Sequence, residues 1–326
     1  MPSPSPPASP HRPDDETALE SGPLLGGYPD DAEDIELTHA RVRSIDELGL
    51  ERFNQLKTLG LRQNLIAKIE GLDHLVDLVE LELYDNRISK IEGLDNLKQL
   101  QNLDLSFNLI KVVENIAHLI HLENLYFVSN KISAIACLDN FTNLRMVEFG
   151  SNRIRTIEGL DALVNLEELY LGKNKITKLQ NLNHLKKLRL LSIQSNRITK
   201  IEGLEELTEL EELYLDHNGI TTIEGLEKNT KLQTLDIGNN FIEKLENIEK
   251  LADLTEIWMS SNKLESFANI EAACKPLQKL EVIYLEGNPL QKSSGATYRL
   301  KVKLAVPQLR QIDATFCSQA EMGARQ

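Results

Sequence analysis

An asparagine recurs every 22 residues along this chain, at Asn64, Asn86, Asn108, Asn130, Asn152, Asn174, Asn196, Asn218, Asn240 and Asn262, without one slip. The next, Asn288, follows a four-residue insertion. Around each asparagine the pattern reads L-x-x-L-x-L-x-x-N-x-I-x-x-I-E-G-L. Units this short cannot each enclose a core. They bury their apolar residues only by stacking on their neighbours, so the period specifies a solenoid.

Each residue class in the unit has a physical task. In L-x-L, as in Leu81-Glu82-Leu83, alternation sends the leucines to one face and the middle residue to the other, which makes a short strand. The later apolar pair, such as Ile88 and Ile91, turns the chain inward again on the opposite side. The asparagine amide offers donors and an acceptor to backbone groups left open by the turn, so stacked units should form a buried asparagine ladder. The I-E-G-L segments (Ile69 to Leu72, Ile91 to Leu94, Ile157 to Leu160, Ile201 to Leu204, Ile223 to Leu226) are too short for a full helix and predict turns of 3-10 type. The unit resembles a leucine-rich repeat. The expected fold is an α/β solenoid, a leucine-rich-repeat horseshoe of 22-residue repeats with a concave parallel sheet and short 3-10 convex turns. Strands about 4.8 Å apart would give a sheet roughly 50 to 55 Å long.

The ends depart from the repeat. Residues 1–33 read as a disordered tail rich in Pro, Ser, Asp and Glu, with too few apolar residues to offset the entropy of ordering. Ser9-Pro10-His11-Arg12 has the Ser-Pro-x-basic form of a kinase site, which makes Ser9 a candidate phosphosite. Residues 34–56 form a degraded N-terminal capping unit with Ala40 at the asparagine position, and Ser44-Ile45-Asp46-Glu47 reads as a capping box. The repeats run over 57–288, and 289–326 form the C-terminal cap. There, a helix should stop before Pro307 and a closing strand should follow around Ile312. Leu300, Val302, Leu304, Val306 and Leu309 are expected to cover the last strand.

Charge and composition narrow the function. A net charge of −14 disfavours nucleic acid and anionic membranes and favours a basic protein surface. No apolar run is long enough to span a bilayer, and the first residues lack a signal-peptide segment, so a reducing compartment is expected. The three cysteines, Cys137, Cys274 and Cys317, are odd in number and far apart in sequence, which suits that compartment and gives no metal spacing. No nucleotide-binding, zinc-protease or serine-hydrolase motif occurs, and the histidines read as scattered over different repeat positions. The expectation is a non-catalytic chain without cofactor or metal.

The x of L-x-L is the position the repeat leaves free. Along the chain it is Gly60, Glu82, Asp104, Tyr126, Glu148, Tyr170, Ser192, Tyr214, Asp236, Trp258 and Tyr284, with no Lys or Arg. Five of these eleven are Tyr or Trp, of only eight such residues in the chain, which chance does not produce. Glu80, Glu168, Glu212, Asp216, Glu256 and Glu286 flank them. An acidic face with aromatic anchors marks an interface. The lysines and arginines fall mostly just after the asparagine or in the I-x-K-I column, where they face a column of glutamates. That arrangement is a solvated surface with weak pairs.

The segments LRQNLI (61–66), LYDNRI (83–88), LDLSFNLI (103–110), LGKNKITKLQNL (171–182), SNRITKIEGL (195–204), YLEGNPLQK (284–292) and RQIDATF (310–316) go beyond a generic repeat. Over Asp34 to Phe316 the chain resembles the leucine-rich-repeat regulatory subunits of protein phosphatase 1, the regulatory subunit 7 family. The resemblance implies the phosphatase catalytic subunit as partner on the concave face and inhibitor-3 as a third partner. It also implies phosphatase regulation, chromosome segregation, and residence in nucleus and cytoplasm. Its contact positions fall on Asp104, Tyr126, Glu148, Tyr170, Asp236, Glu256, Trp258 and Tyr284. Tyr126 and Tyr170 stand where animal relatives tend to carry Phe, and their added hydroxyls need a water or a polar neighbour. No R/K-V-x-F docking peptide occurs, since Arg41-Val42-Arg43-Ser44 lacks the aromatic. Docking by a preformed surface fits that absence.

Overall fold

The computed structural model describes residues 24–318. Among these residues fourteen strands form one sheet in strict chain order. The first seven are β1 (Asp34–Glu36), β2 (Thr58–Gly60), β3 (Glu80–Glu82), β4 (Asn102–Asp104), β5 (Asn124–Tyr126), β6 (Met146–Glu148) and β7 (Glu168–Tyr170). They are followed by β8 (Leu190–Ser192), β9 (Glu212–Tyr214), β10 (Thr234–Asp236), β11 (Glu256–Trp258), β12 (Val282–Tyr284), β13 (Gln311–Ile312) and β14 (Thr315–Phe316). All neighbours pair in parallel except β13 with β14. The middle residue of each three-residue strand is buried and its two neighbours face out, as alternation requires.

The asparagine ladder is present and each rung is tied to the repeat before it. Asn152 is typical: its Oδ1 accepts from the Ile132 N–H at 3.0 Å, and its Nδ2 donates to the carbonyls of Phe127 at 2.7 Å and Phe149 at 3.1 Å. The convex side is built of successive i to i+3 turns, for example Leu75 N–H to Leu72 O and Leu78 N–H to Leu75 O. These turns lie just after I-E-G-L, and the glycine itself takes the left-handed conformation that lets the chain enter them. At Gly93 (φ 68°) a Cβ would sit 2.4 Å from the Ile69 carbonyl oxygen, so only glycine fits that approach. Where asparagine replaces the glycine, its amide takes the equivalent carbonyl instead, as Asn115 does with Ile91 O at 2.8 Å.

One histidine expectation is corrected. His74, His118 and His184 share a single repeat position, and each ring Nε2 meets the carbonyl of the residue 24 earlier, at 2.8 to 3.0 Å. In a further repeat that column holds Lys228, and the adjacent Asn229, fully buried at a leucine position, donates to the Leu204 and Leu207 carbonyls instead.

The ends hold the other corrections. The segment 24–33 is not part of a disordered tail. Leu25 is buried, the Tyr28 hydroxyl donates to Glu36 O, and Arg52 binds the carbonyls of Leu25 and Tyr28 and pairs with Asp30. Ser9 and the remainder of residues 1–23 lie outside the described residues, as do residues 319–326. Ser44 does not cap a helix: a 3-10 turn at Asp46–Leu48 starts from Ile45 without a side-chain cap, and the Ser44 hydroxyl donates to Glu70 Oε1 at 3.1 Å. The insertion before Asn288 is absorbed by a helix, α1 (Phe267–Cys274), which the sequence reading did not anticipate. At the C-terminal end α2 (Pro289–Ser294) leads to α3 (Tyr298–Ala305), which stops ahead of Pro307. Val302, Val306 and Leu309 are buried there, but Leu300 and Leu304 are 59% and 69% exposed. The expected set alternated by two, which suits a strand. A helix turning every 3.6 residues carries Tyr298 and Val302 inward and sends Leu300 and Leu304 out.

Candidate partner-binding surface

The strand register brings the free positions into one row. Asp104, Tyr126, Glu148, Tyr170, Ser192, Tyr214, Asp236, Trp258 and Tyr284 are successive register partners across β4 to β12. Seven of the eight sequence-derived contact residues therefore lie side by side. The eighth, Glu256, stands two residues before Trp258 on the same face, and its carboxylate accepts from the Trp258 indole N–H at 3.2 Å. All eight are half-buried, with the inward neighbours Ile257 and Met259 of Trp258 fully buried.

The row has an internal rhythm that the sequence reading missed. Tyr126, Tyr170, Tyr214 and Trp258 are spaced by two repeats, and Asp104, Glu148, Ser192 and Asp236 stand between them. Large rings thus occupy every second strand, with short side chains lying lower in between. The rings are supported by their own strands. The Tyr170 hydroxyl donates to Glu168 Oε2 at 2.8 Å and that of Tyr214 to Glu212 Oε2 at 2.6 Å. The polar neighbour that the Tyr170 hydroxyl requires is therefore built in. Trp258 meets Tyr214 and Tyr284 edge-on, with centroids 6.2 and 5.8 Å apart. The contact between Tyr214 and Trp258 reaches across β10, the strand that carries Asp236.

Burial sets the electrostatics of the row. The Asp236 carboxyl is pushed up to about 6, first by desolvation and then by the Asp216 charge, although Gly238 N–H donates to it at 3.1 Å. Glu148 is raised by burial and by Asp104, and Glu82 by burial against the opposing pull of Arg62. Tyr170 and Tyr214 are held above the usual phenol range by burial and by the carboxylates they bind. Carboxylates that are dehydrated but unpaired are stabilised by an incoming cation.

Small residues beside the row open two shallow clefts. One of about 490 Å³ is lined by Glu148, Tyr170, Gly172, Ser192 and Tyr214 among others. Another of about 310 Å³ is lined by Asp216, Asp236, Gly238, Trp258, Ser260 and Tyr284 among others. A Cβ on Gly238 would come within 2.8 Å of Asp216 Oδ1, so this glycine keeps the second cleft open. Among the described residues no group of three or more His, Cys, Asp or Glu is placed to hold a metal ion, and no helix is long and apolar enough to cross a membrane. The surface can bind through apolar contact, hydrogen bonding and negative charge. The Lys and Glu columns make exposed pairs such as Lys90–Glu92 at 2.9 Å and stay away from the row.

A family model described as Leucine Rich repeats (2 copies) matches residues 54–96, 142–184, 164–209, 186–228, 208–250 and 230–272, together more than half of the chain. Among characterised proteins, the protein phosphatase 1 regulatory subunit SDS22 of Schizosaccharomyces pombe is 61% identical over 51 residues, 16% of this chain and 15% of that protein. The human protein phosphatase 1 regulatory subunit 7 is 56% identical over 52 residues, 16% of this chain and 14% of that protein. The matched stretches are therefore a small part of either relative's length. Among solved structures, a leucine-rich-repeat protein of Leptospira interrogans superposes with a TM-score of 0.72 at 25% identity, over 80% of this chain and 73% of the other. An internalin from Listeria monocytogenes superposes with a TM-score of 0.69 at 24% identity, over 89% and 88%. These likenesses establish the fold.

Proposed function

This chain belongs to the leucine-rich-repeat family, and we propose that it is a non-catalytic regulatory or assembly subunit that holds the catalytic subunit of protein phosphatase 1 against its concave face. The observation that carries the reading is the continuous row from Asp104 to Tyr284: half-exposed rings and dehydrated carboxylates, with no lysine or arginine among them. Such a row is a liability in water and complements a basic, partly apolar surface. The names of the locally similar relatives support the choice of phosphatase. Residence in nucleus and cytoplasm, inhibitor-3 as a third component and a part in chromosome segregation belong to the same proposal. A rigid face of paired strands loses little entropy when it docks.

The test is direct binding of the purified chain to the phosphatase-1 catalytic subunit at several ionic strengths. The complex should form, and the on-rate should fall as salt rises while the off-rate changes less. No complex at micromolar concentration removes the phosphatase and leaves a scaffold for another basic protein. An on-rate that ignores salt removes the electrostatic part.

A further inference from the structure

One repeat breaks its own rule at the rim of the concave face. The residue before each ladder asparagine is in the left-handed conformation, and it is small or polar in neighbouring repeats, as with Asp85, Ser129 and Ser151. At this position the third rung carries Phe107 (φ 55°). A bulky side chain seldom adopts that conformation, and the fold does not ask for one here. The ring is nevertheless 42% exposed, and Leu109 and Val112 of the same repeat are 40% and 58% exposed. The position of Leu109 is Arg87 and Lys131 in the adjacent repeats, so the apolar character is local.

Phe107 does not stand alone. Its ring centroid is 4.8 Å from that of Tyr84, and the Arg62 guanidinium lies over the Tyr84 ring at 4.9 Å. Arg62 is also 3.5 Å from the Glu82 carboxylate. Three consecutive repeats thus contribute one file of side chains, and its first member shows which chemistry the place accepts: a guanidinium on an aromatic ring beside a carboxylate. Tyr84 follows Glu82 by two residues and shares its face, so the file is continuous with the concave row. Glu82, Asp85 and Asp104 near the file outnumber Arg62 and Arg87. A guanidinium is weakly hydrated and stacks readily on aromatic faces.

We propose that the Tyr84–Phe107 rim is a second contact surface for the phosphatase subunit, taking a segment of it that presents an arginine next to apolar side chains. This rests on the function proposed above. The ring of the strained phenylalanine extends the file toward the partner.

The experiment compares affinity for the phosphatase-1 catalytic subunit and melting temperature in the full chain and two variants. Phe107→Ser installs the residue of neighbouring repeats. It should leave the melting temperature unchanged or raise it, and should weaken binding about tenfold. Phe107→Tyr keeps the ring and should keep the affinity. Wild-type affinity in Phe107→Ser overturns the rim proposal while the wild-type complex upholds the broader reading. Equal loss in both variants assigns the effect to fold rather than to the ring and also overturns it. Failure of the wild-type chain itself to bind removes the proposed function, and the rim's partner with it.

Discussion

The asparagine ladder and the aromatic row both run the length of the sheet at one residue per repeat, yet they use that regularity in opposite ways. In the ladder the amide is buried and spent on the backbone of its own and the preceding repeat, as at Asn108 with Ile88 N, Leu83 O and Leu105 O. Nothing is left for a partner, and from Asn64 to Asn288 the residue never changes. In the row the large side chains are only half covered, and the position passes from Gly to Glu, Asp, Tyr, Ser and Trp without disturbing the strand register. The column that the fold satisfies completely carries the architecture. The column it satisfies halfway is free to carry specificity.

The largest effect should follow from breaking a rung. Asn152→Ala leaves the Ile132 N–H buried without a partner and the Phe127 carbonyl with only its longer bond from Asn130 Nδ2, and should lower stability by about 2–4 kcal/mol in denaturant unfolding. A loss below about 1 kcal/mol would mean that water replaces the amide and that the ladder is less closed than its geometry. The row should respond the other way round. Trp258→Ala removes an anchor and should weaken phosphatase binding about thirtyfold, near 2 kcal/mol, with at most about 1 kcal/mol lost in stability through the Tyr214 and Tyr284 ring contacts. Glu158→Lys on the convex turn is the matched control and should change neither. Unfolding by Trp258→Ala would put the tryptophan in the core and erase the contrast.

The smallest effect sharpens the comparison through pH. The Asp236 carboxyl titrates near 6 in the folded chain against 3.8 unfolded. Its protonated form therefore favours the fold. That contribution is complete below about pH 3.8 and is lost as pH rises through 6. Asp236→Asn cannot ionise. Its stability relative to wild type should climb between pH 4 and 6 and level off above 7, by about 1 kcal/mol after allowing for solvent reach. A difference that stays constant over this window would show that the rings do not dehydrate the carboxylate.

The repeating part of the fold was legible because every leucine and asparagine column is sampled many times, so one odd residue cannot mislead. The ends occur once each and offered no such averaging. Leu25 and Tyr28 look like tail residues until Arg52 is seen to hold their carbonyls, and α3 is a helix as expected but buries Tyr298 and Val302 rather than Leu300 and Leu304. The concave row was legible because alternation alone decides which residues face out. What alternation cannot report is reach between strands. That Trp258 reaches across β10 to Tyr214, or that Phe107 leans on Tyr84, depends on ring positions two repeats or one repeat away. The shared column of His74, His118 and His184 was visible as spacings of two and three repeats, and was missed because the intervening units carry other residues there.

Each rung grips the repeat before it and none beyond, which gives the molecule the mechanics of a chain of equal links. Tension applied between the two ends of the sheet meets no long-range strap among the described residues. It should part the links one at a time, starting where a cap is weakest, and each release should lengthen the chain by the same increment of 22 residues. Unequal steps belong to the two end units and to the unit that contains α1, which stores four residues more than the 22-residue repeats before it.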